Sequence, residues 1–447
     1  MMIPIERALR ASNSSIIAFT GAGGKTTALF QLARELVKHT SVIVTASSHL
    51  GVWQIPFANK HLVAGSLTEI KDLEHKLQGI TLITGGFDRD RTKPLDEESL
   101  NWLNQFCTGH SIPLLIEADG SRQKPLKAWA DHEPPIPTFV EQVVEVVGLT
   151  GLGKPLSDEV VHRVEIFSKL SGLDMGAIIT PEALSRALTH PEGGQKNIPL
   201  GARKVVLLNQ ADTTELQSIA HGMVDSLLHS FHSVVVSSLE QENIFAVHES
   251  IAGIILAAGA STRFGEPKQL LDWKGEFFVH AVARTALEAG LSPVIVVTGA
   301  NSEHVEEAVK DLDVLIVKND DWKSGQGSSI KAGIRKLTIS PTSTSGGAIF
   351  LLADQPQITT SLIRALVEKH AEGLDPIVAP LVIDQRANPV LFDEVTFADL
   401  LDIKGDVGGR AIFHKHQVEY LPWHDDRMLL DVDTPENYQR LISDETL

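Results

Sequence analysis

Short runs of β-branched and apolar residues alternate with longer segments whose apolar positions return every three or four residues, almost throughout the chain. In the first half these runs are SIIAF, SVIVT, ITLIT, PLLIEAD, VVEVVG and KVVLLN. Between the first two, TTALFQLARELVKH places Leu29, Leu32, Ala33, Leu36 and Val37 on one face, which predicts an amphipathic helix. The stretch SSLEQENIFAVHES, residues 237–250, carries no strong period, and IAGIILAAG then starts afresh. Beyond it IAGIILA, PVIVVTG, DVLIVKN, GAIFLLAD and PIVAPLV alternate with helices such as SEHVEEAVKDL and SLIRALVEKH. Strands alternating with helices predict parallel α/β architecture. The expectation is two Rossmann-like three-layer domains, 1–240 and 250–447. No short repeat recurs, the two halves carry differently spaced glycine loops, and ISPTSTSGG reads as a surface loop.

A length of 447 residues is ample for two hydrophobic cores. Apolar residues at 43% and charged residues at 21% are ordinary for a globular protein, and no stretch approaches the ~20 apolar residues of a membrane span. The opening MMIPIERALRAS has no apolar core followed by a cleavage site, and Cys107, read as helix packing, is the only cysteine. Together these predict a cytoplasmic protein without a disulfide, in which the sequon Asn13-Ser14-Ser15 carries no glycan. A net charge of −18 excludes a nucleic-acid-binding surface, which needs clustered Lys and Arg. It leaves nucleotides open, because backbone N–H groups, one or two cations and a metal ion suffice for their phosphates.

In IAGIILAAGASTRFGEPKQLLDWKG a buried strand ends at Ala257 and opens into a turn with Gly259 and Gly265 before Lys268. Such a loop turns backbone N–H groups toward phosphate oxygens, while Arg263 and Lys268 add positive charge where pyrophosphate would leave. The plain alternative is an ordinary βα turn. GAIFLLAD puts Asp354 at the carboxyl end of a parallel strand, the usual place for ligands in such sheets. LLDVDTPENYQRL adds Asp431 and Asp433 after a further apolar run; carboxylates from two strands suit a shared Mg²⁺. Either aspartate alone also fits a helix cap, and Asp433-Thr434-Pro435-Glu436 looks like a helix start.

Taken in order, LAAGASTRFGEPKQLL, NDDWKSGQGSSIKAG, LLADQP, ANPVLF, GDVGGR and DVDTPENY resemble the molybdenum cofactor cytidylyltransferases of the MobA-like nucleotidyltransferase superfamily, over nearly all of residues 251–447. The resemblance implies Mg²⁺-dependent transfer of CMP from CTP to the phosphate of a molybdopterin-type cofactor, releasing pyrophosphate. It places Leu256, Ala257, Ala258, Gly259, Ser261, Arg263, Gly265 and Lys268 around the nucleotide, with Arg263, Lys268 and Asp354 catalytic. Asp354 and Asp433 would hold the metal, and Asn388-Pro389 and Gly405–Arg410 would lie on the acceptor side. Guanylyltransferase relatives carry LAGG where this chain has Leu256-Ala257-Ala258-Gly259, which points to CTP. Ala387 stands where the family commonly has glycine, so the shape of that turn departs from the pattern.

The first glycine loop, FTGAGGKTT, is an incomplete Walker A motif: with Gly24-Lys25-Thr26 aligned, Phe19 occupies the position of the first glycine. Its context still fits, with a strand before, an amphipathic helix after, and Gly21, Gly23 and Gly24 free to form an anion-binding nest. Lys25 would meet the phosphates and Thr26 the metal. PLLIEADG ends in acidic residues as a Walker B strand does, offering Asp119 or Glu117 to Mg²⁺. KVVLLNQAD ends in Asn209-Gln210-Ala211-Asp212, close to the N-K-x-D base-reading motif with Gln210 in place of the lysine, so ATP or GTP would bind here. Singly, the acidic strand reads equally as core and NQAD as a capped helix start.

GAGGKTT, LLIEADGSRQKPLKAW, GLGKPLSDEVVHRVEIFSKLSGL, ITPEAL, HPEGGQKNIP and LLNQAD together resemble selenium-dependent hydroxylase accessory proteins of the YqeC type, over residues 14–236. That implies a P-loop-type NTP-binding accessory domain for molybdenum hydroxylases, with an apo-hydroxylase as partner. His162 and Glu165, three apart in VVHRVEIF, would share a helical face as a ligand contact or a surface pair, and Lys124 would face the same cleft. No histidine spacing supports a zinc site, and neither a nucleophile elbow nor a kinase signature is present. Two alternatives stand beside the cytidylyltransferase: a nucleotidyltransferase for another phosphorylated acceptor, and a maturation chaperone that only holds the cofactor.

Overall fold

The computed structural model describes residues 3–71, 77–259, 266–339 and 345–443, and the chain divides into two compact units, Met1–His248 and Glu249–Leu447. In the first unit β1 (Ile16–Gly21), β2 (Val42–Ala46), β3 (Lys60–Val63), β4 (Ile80–Thr84), β5 (Leu114–Glu117), β6 (Gln142–Gly148), β7 (Arg203–Asn209), β8 (Ser233–Ser238) and β9 (Asn243–Glu249) form one nine-stranded sheet. Their order is β9-β8-β7-β6-β1-β5-β2-β4-β3, and the neighbours from β8 across to β3 run parallel. Every residue of β1 is buried, as a strand covered by helices on both faces must be. At roughly 1.5–3 kcal/mol for each large apolar side chain, Ile16, Ile17 and Phe19 anchor the sheet's centre.

The covering helices start where the sequence provides a cap. Asp96 accepts from the Ser99 N–H ahead of Glu97–His110, Thr180 from Ala183 ahead of Pro181–Thr189, and Thr213 from Leu216 ahead of Thr214–Leu228. Cys107 is fully buried on the first of these, and burial pushes its thiol up to about 12. The segment read as aperiodic, residues 237–250, instead forms β9 after a short turn; only part of it is buried, which blurs its alternation. Half-exposed β3, KHLV, hides its pattern in the same way at the opposite edge.

In the second unit β10 (Ile251–Ala257), β11 (Val294–Thr298), β12 (Leu315–Lys318), β13 (Gly347–Leu352), β14 (Ile377–Val382), β15 (Gln385–Arg386), β16 (Val390–Asp393) and β17 (Val418–Pro422) form a second sheet. Its order is β12-β11-β10-β13-β16-β14-β15, with β17 also on β14. The first four strands are parallel, but β16 runs antiparallel to both neighbours, so the fully parallel expectation gives way to a mixed sheet. The reversal starts at Ile383-Asp384, both at positive φ (46° and 60°), which turn β14 straight back into β15 as a two-residue hairpin. Residues on both faces of the sheet are buried, Ile255 and Leu351 on one and Ile254 and Phe350 on the other. Among the described residues no helix is long and apolar enough to cross a membrane.

Candidate functional site

Strand order in the second unit changes direction at β10: the chain crosses to β11 and β12 on one side, then returns to β13 on the other. A cleft of about 470 Å³ opens at the carboxyl ends of β10 and β13, where doubly wound sheets take their ligands. Leu256, Ala257, Ala258 and Gly259 line it, with Lys268, Gln269, Trp322, Gln326, Asp354 and Asp406. Buried Gln269 donates to the carbonyl of Gly259 at 3.0 Å, fixing the loop just after the strand. Asp406 accepts from the Gln326 N–H at 3.1 Å at the start of helix Gln326–Ile339, so the GDVGGR segment reaches the cleft through this residue. Ser261, Arg263 and Gly265 lie outside the described residues.

Lys268 Nζ lies 2.6 Å from Asp433 Oδ1 and 3.7 Å from Asp354 Oδ2. Asp354 leaves β13 within two residues, but Asp433 is not at a strand end: it sits between a 3₁₀ turn and helix Pro435–Ser443, its N–H donating to the carbonyl of Asp431 at 3.0 Å. Nor does it cap that helix, because Thr434 Oγ1 takes the Asn437 N–H. Asp431 is turned to Gln355, which donates to it at 2.9 Å. Burial raises the Asp354 carboxyl above its ordinary range; Lys268 opposes this, and Asp431 and Asp433 add to it. A carboxylate crowded by two others favours a cation beside it. Asn388-Pro389 does not line the cleft; Ala387, where glycine was expected, is buried and donates its N–H to Pro380 at 3.1 Å.

In the first unit the reversal falls at β1, flanked by β5 and β6. The strand runs on to Gly21, so Phe19 is a core residue and the loop proper is only Ala22–Gly24 before helix Lys25–Leu36. Gly21, Gly23 and Gly24 have φ of 92°, 79° and 130°. A β-carbon at Gly21 would also run into the Val146 carbonyl and the Glu145 carboxylate. A cleft of about 470 Å³ lies outside this loop, lined by Gly23, Gly24, Lys25, Thr26, Glu117, Trp53, Gln54, Arg91 and Arg122 among others.

Lys25 is buried, and its Nζ donates to Asp119 Oδ1 at 2.6 Å and to Gly21 O at 3.2 Å. Asp119 is wholly buried, and its other oxygen accepts from Lys127 at 2.7 Å, Trp129 at 3.0 Å and the Gly21 N–H at 3.2 Å. Lys127 continues to Glu133 at 3.1 Å, and Glu133 accepts from Arg163 at 2.7 Å, giving an alternating chain of charges. Burial works against the charge on both Lys25 and Asp119, and their mutual attraction outweighs it: the lysine's pKa is raised and the aspartate's lowered. Glu145, buried with Thr20 donating to it, is pushed well up by burial and by the nearby Asp119.

These contacts reassign three residues. Asp119, expected at the metal, has both oxygens committed and does not line the cleft; Glu117 does line it, and accepts from Thr26 Oγ1 at 3.1 Å. Asn209, expected to read a base, braces the loop instead, donating to Gly23 O at 2.7 Å while accepting from the Leu239 N–H at 2.9 Å. Asp212 is exposed and accepts from Ser238 at 2.5 Å, outside the cleft lining. His162 and Glu165 share no helical face, because the helix begins only at Val164; His162 lies in a short strand, its pKa lowered to about 4 by burial and then by Arg163. Lys124 lines the cleft, with its ammonium donating to the carbonyls of Asp158 and Val161. Lys127 lies within LLIEADGSRQKPLKAW, yet its place beside Asp119 emerges only from the tertiary structure, as do those of Glu133 and Gln54, which carry no motif.

A glycine loop, a lysine and Asp354 gather beyond the carboxyl ends of central parallel strands, and the second unit matches the MobA-like NTP transferase domain over residues 253–420, which makes it a nucleotidyltransferase domain. Residues 17–165 match the YqeC protein family, so the chain belongs to the YqeC family in its N-terminal part and to the MobA-like NTP transferases in its C-terminal part. It is 34% identical over 217 residues to the uncharacterized protein YqeC of Escherichia coli (strain K12), covering 45% of this chain and 78% of that one. It is 31% identical over 201 residues to a nicotine blue oxidoreductase of Paenarthrobacter nicotinovorans, covering 43% of this chain and 96% of that one. A probable molybdenum cofactor guanylyltransferase of Bacillus mycoides (strain KBAB4) is 27% identical over 206 residues, covering 43% of this chain and 96% of that one.

Proposed function

We propose that the C-terminal unit transfers CMP from CTP to the phosphate of a molybdopterin-type cofactor, giving the cytosine dinucleotide form and pyrophosphate. The observation that carries this is Lys268, held between Asp354 and Asp433 in the lining of the cleft. The acceptor phosphate is already anionic, so attack on the α-phosphorus needs no strong base; the protein aligns two anions and offsets the charge growing on pyrophosphate. In this reading the loop Leu256–Gly259 holds the phosphates through backbone N–H groups, and Lys268 swings from the carboxylates to the leaving group, helped by Arg263. Asp354 and Asp433 are oxygen donors of the kind Mg²⁺ prefers, and the mutual repulsion around Asp354 is what such an ion would relieve. Bound there, Mg²⁺ would supply charge neutralisation of the phosphates.

The choice of CTP rests on Ala258. It is buried, lines the cleft and packs against Gly299, and its methyl stands where guanylyl relatives have only hydrogen. The N-terminal unit is read as an ATP- or GTP-binding accessory domain for maturation of a molybdenum hydroxylase, with Gly23–Lys25 on the phosphates and Thr26 and Glu117 at a metal. Incubating the protein with molybdopterin, Mg²⁺ and each triphosphate, then weighing the product by mass spectrometry, tests both levels. A guanine dinucleotide would overturn the base assignment, and no dinucleotide with any triphosphate would overturn the transferase reading.

A further inference from the structure

After the acidic strand β5 the chain reads DGSRQK, and residues 120–124 of this run line the same cleft as residues 23–26 and Glu117. Arg122 and Gln123 have φ of 52° and 59°, and the Lys124 N–H donates to the Ser121 carbonyl at 3.2 Å. Two successive positive φ angles inside such a hydrogen bond make a turn that glycine, asparagine or aspartate ordinarily fills, because longer side chains crowd the backbone there. This turn carries arginine and glutamine instead. It is fixed on both sides: Lys127 donates to the Gly120 carbonyl at 2.8 Å, and the Lys124 ammonium donates to the Val161 carbonyl at 3.2 Å. Both turn side chains are exposed, and neither the Arg122 guanidinium nor the Gln123 amide has a partner among the described residues. Backbone strain that yields no contact within the fold points to a duty toward a ligand.

The charge balance of the cleft describes that duty. Lys25 turns inward, with its ammonium 2.6 Å from Asp119 Oδ1 and 3.2 Å from the Gly21 carbonyl, so its charge is already matched. A triphosphate seated on the N–H groups of the glycine loop therefore draws further positive charge from the rest of the lining. Arg122 stands there with no carboxylate paired to it among the described residues, whereas Arg91 follows Asp90, an acid in the same lining. Transfer of a phosphoryl group to water needs a cation on the oxygens where charge grows and a polar group that orients the water. Arg122 and Gln123 are adjacent, preset by one turn, and supply one of each.

We propose that the N-terminal unit hydrolyses the nucleoside triphosphate it binds, with Arg122 and Gln123 as its catalytic pair; this rests on the reading of the glycine loop as a nucleotide site. Water attacks the γ-phosphorus while the bond from that phosphorus to the β–γ bridging oxygen breaks. The bridging oxygen keeps the electron pair and leaves on the diphosphate, and the water oxygen stays on phosphorus. The proton released passes to solvent, so the products are nucleoside diphosphate and orthophosphate. The Gln123 side-chain carbonyl accepts a hydrogen bond from the water, and its amide N–H donates to a γ oxygen. The Arg122 guanidinium donates to the oxygens on which charge develops.

The test uses the full chain with Mg²⁺ and no molybdopterin, mixed in excess with γ-labelled ATP in one arm and γ-labelled GTP in the other, and reads single-turnover release of orthophosphate. One of the two is expected to be cleaved, and Arg122→Ala and Gln123→Ala should each slow it by about 100- to 1000-fold. Affinity for the matching non-hydrolysable analogue, measured by calorimetry, should change by less than about threefold, because these contacts strengthen in the transition state. Arg122→Gly separates catalysis from structure: glycine relaxes the positive φ, so the melting temperature should hold or rise while turnover is lost. Binding of the analogue without orthophosphate release from either nucleotide would overturn the proposal. So would an unchanged rate in Arg122→Ala, or a melting temperature in Arg122→Gly that falls together with the rate. Failure of both analogues to bind the unaltered protein would instead overturn the nucleotide reading beneath it.

Discussion

Both units end a central strand in a glycine loop followed by a lysine, yet the two lysines live under opposite conditions. Lys25 is buried, donates to the carbonyl of Gly21 and belongs to a chain of charges through Asp119, Lys127, Glu133 and Arg163. Lys268 lines its cleft with a side chain 13% exposed, and its partner Asp433 has a side chain 66% exposed. A buried ion pair is expensive to break, because it strands a charge in a medium that cannot solvate it; an exposed one is worth about 0–1 kcal/mol. The first lysine is therefore as much a part of the fold as of the site, whereas the second is held by carboxylates at the cleft itself.

Lys268→Ala gives the sharpest contrast. Pyrophosphate release with CTP and acceptor should fall about 100- to 1000-fold, the scale for losing one group aimed at developing charge. The melting temperature should move by no more than roughly 2 °C. An unchanged rate would show that Lys268 is structural, and the distinction between the two lysines would collapse.

Lys25→Ala should do the reverse, destabilising the first unit by about 3 kcal/mol as Asp119 loses a buried partner. Calorimetry would register this as a drop of roughly 6–12 °C in that unit's transition. Because the Asp119 pKa is lowered in the fold, its contribution is fully present above the unfolded value of 3.8 and is lost as pH falls through the folded value. The variant's deficit should therefore shrink in strong acid.

Glu145 has the opposite linkage. Its folded pKa lies well above the ordinary 4.5, so from pH 4.5 upward the unfolded chain releases a proton that the folded one retains, and stability declines until the folded pKa is passed. Glu145→Gln removes that dependence. Its melting temperature relative to the unaltered protein should rise between pH 4.5 and pH 8, by roughly 3 °C. A flat difference would mean that the carboxyl is ionised in the fold.

The smallest effect is reserved for Ala258→Gly. Removing one methyl from the cleft lining should shift the ratio of CTP to GTP turnover by less than about tenfold, toward GTP, with total activity kept. No shift would remove the basis for assigning the base.

How much of this was legible beforehand varied with where the information lies. Buried central strands such as β1 and β10 announce themselves as apolar runs, and the glycine loops follow directly from them. The edge strands β3 and β9 do not, since half-exposed positions dilute the alternation. In the second unit β16 was lost because a two-residue turn inserted antiparallel strands where only crossovers were expected. Site residues on the loops were visible as motifs, but their duties were not. Asn209 and Asp119 sit in segments that resemble base-reading and metal-binding motifs, yet each is consumed by a partner distant in sequence.

The brace between Asn209 and Gly23 spans 186 positions of chain. Contacts of such long separation form only after most of a unit has collapsed, because the closure entropy of the intervening chain must be overcome first. During synthesis the glycine loop leaves the ribosome early, but the side chain that fixes its shape arrives only when β7 is complete. Shaping of this loop is thus a late event in the unit's biogenesis, and a nascent chain halted before Asn209 would carry the entire GAGGKT sequence without its brace.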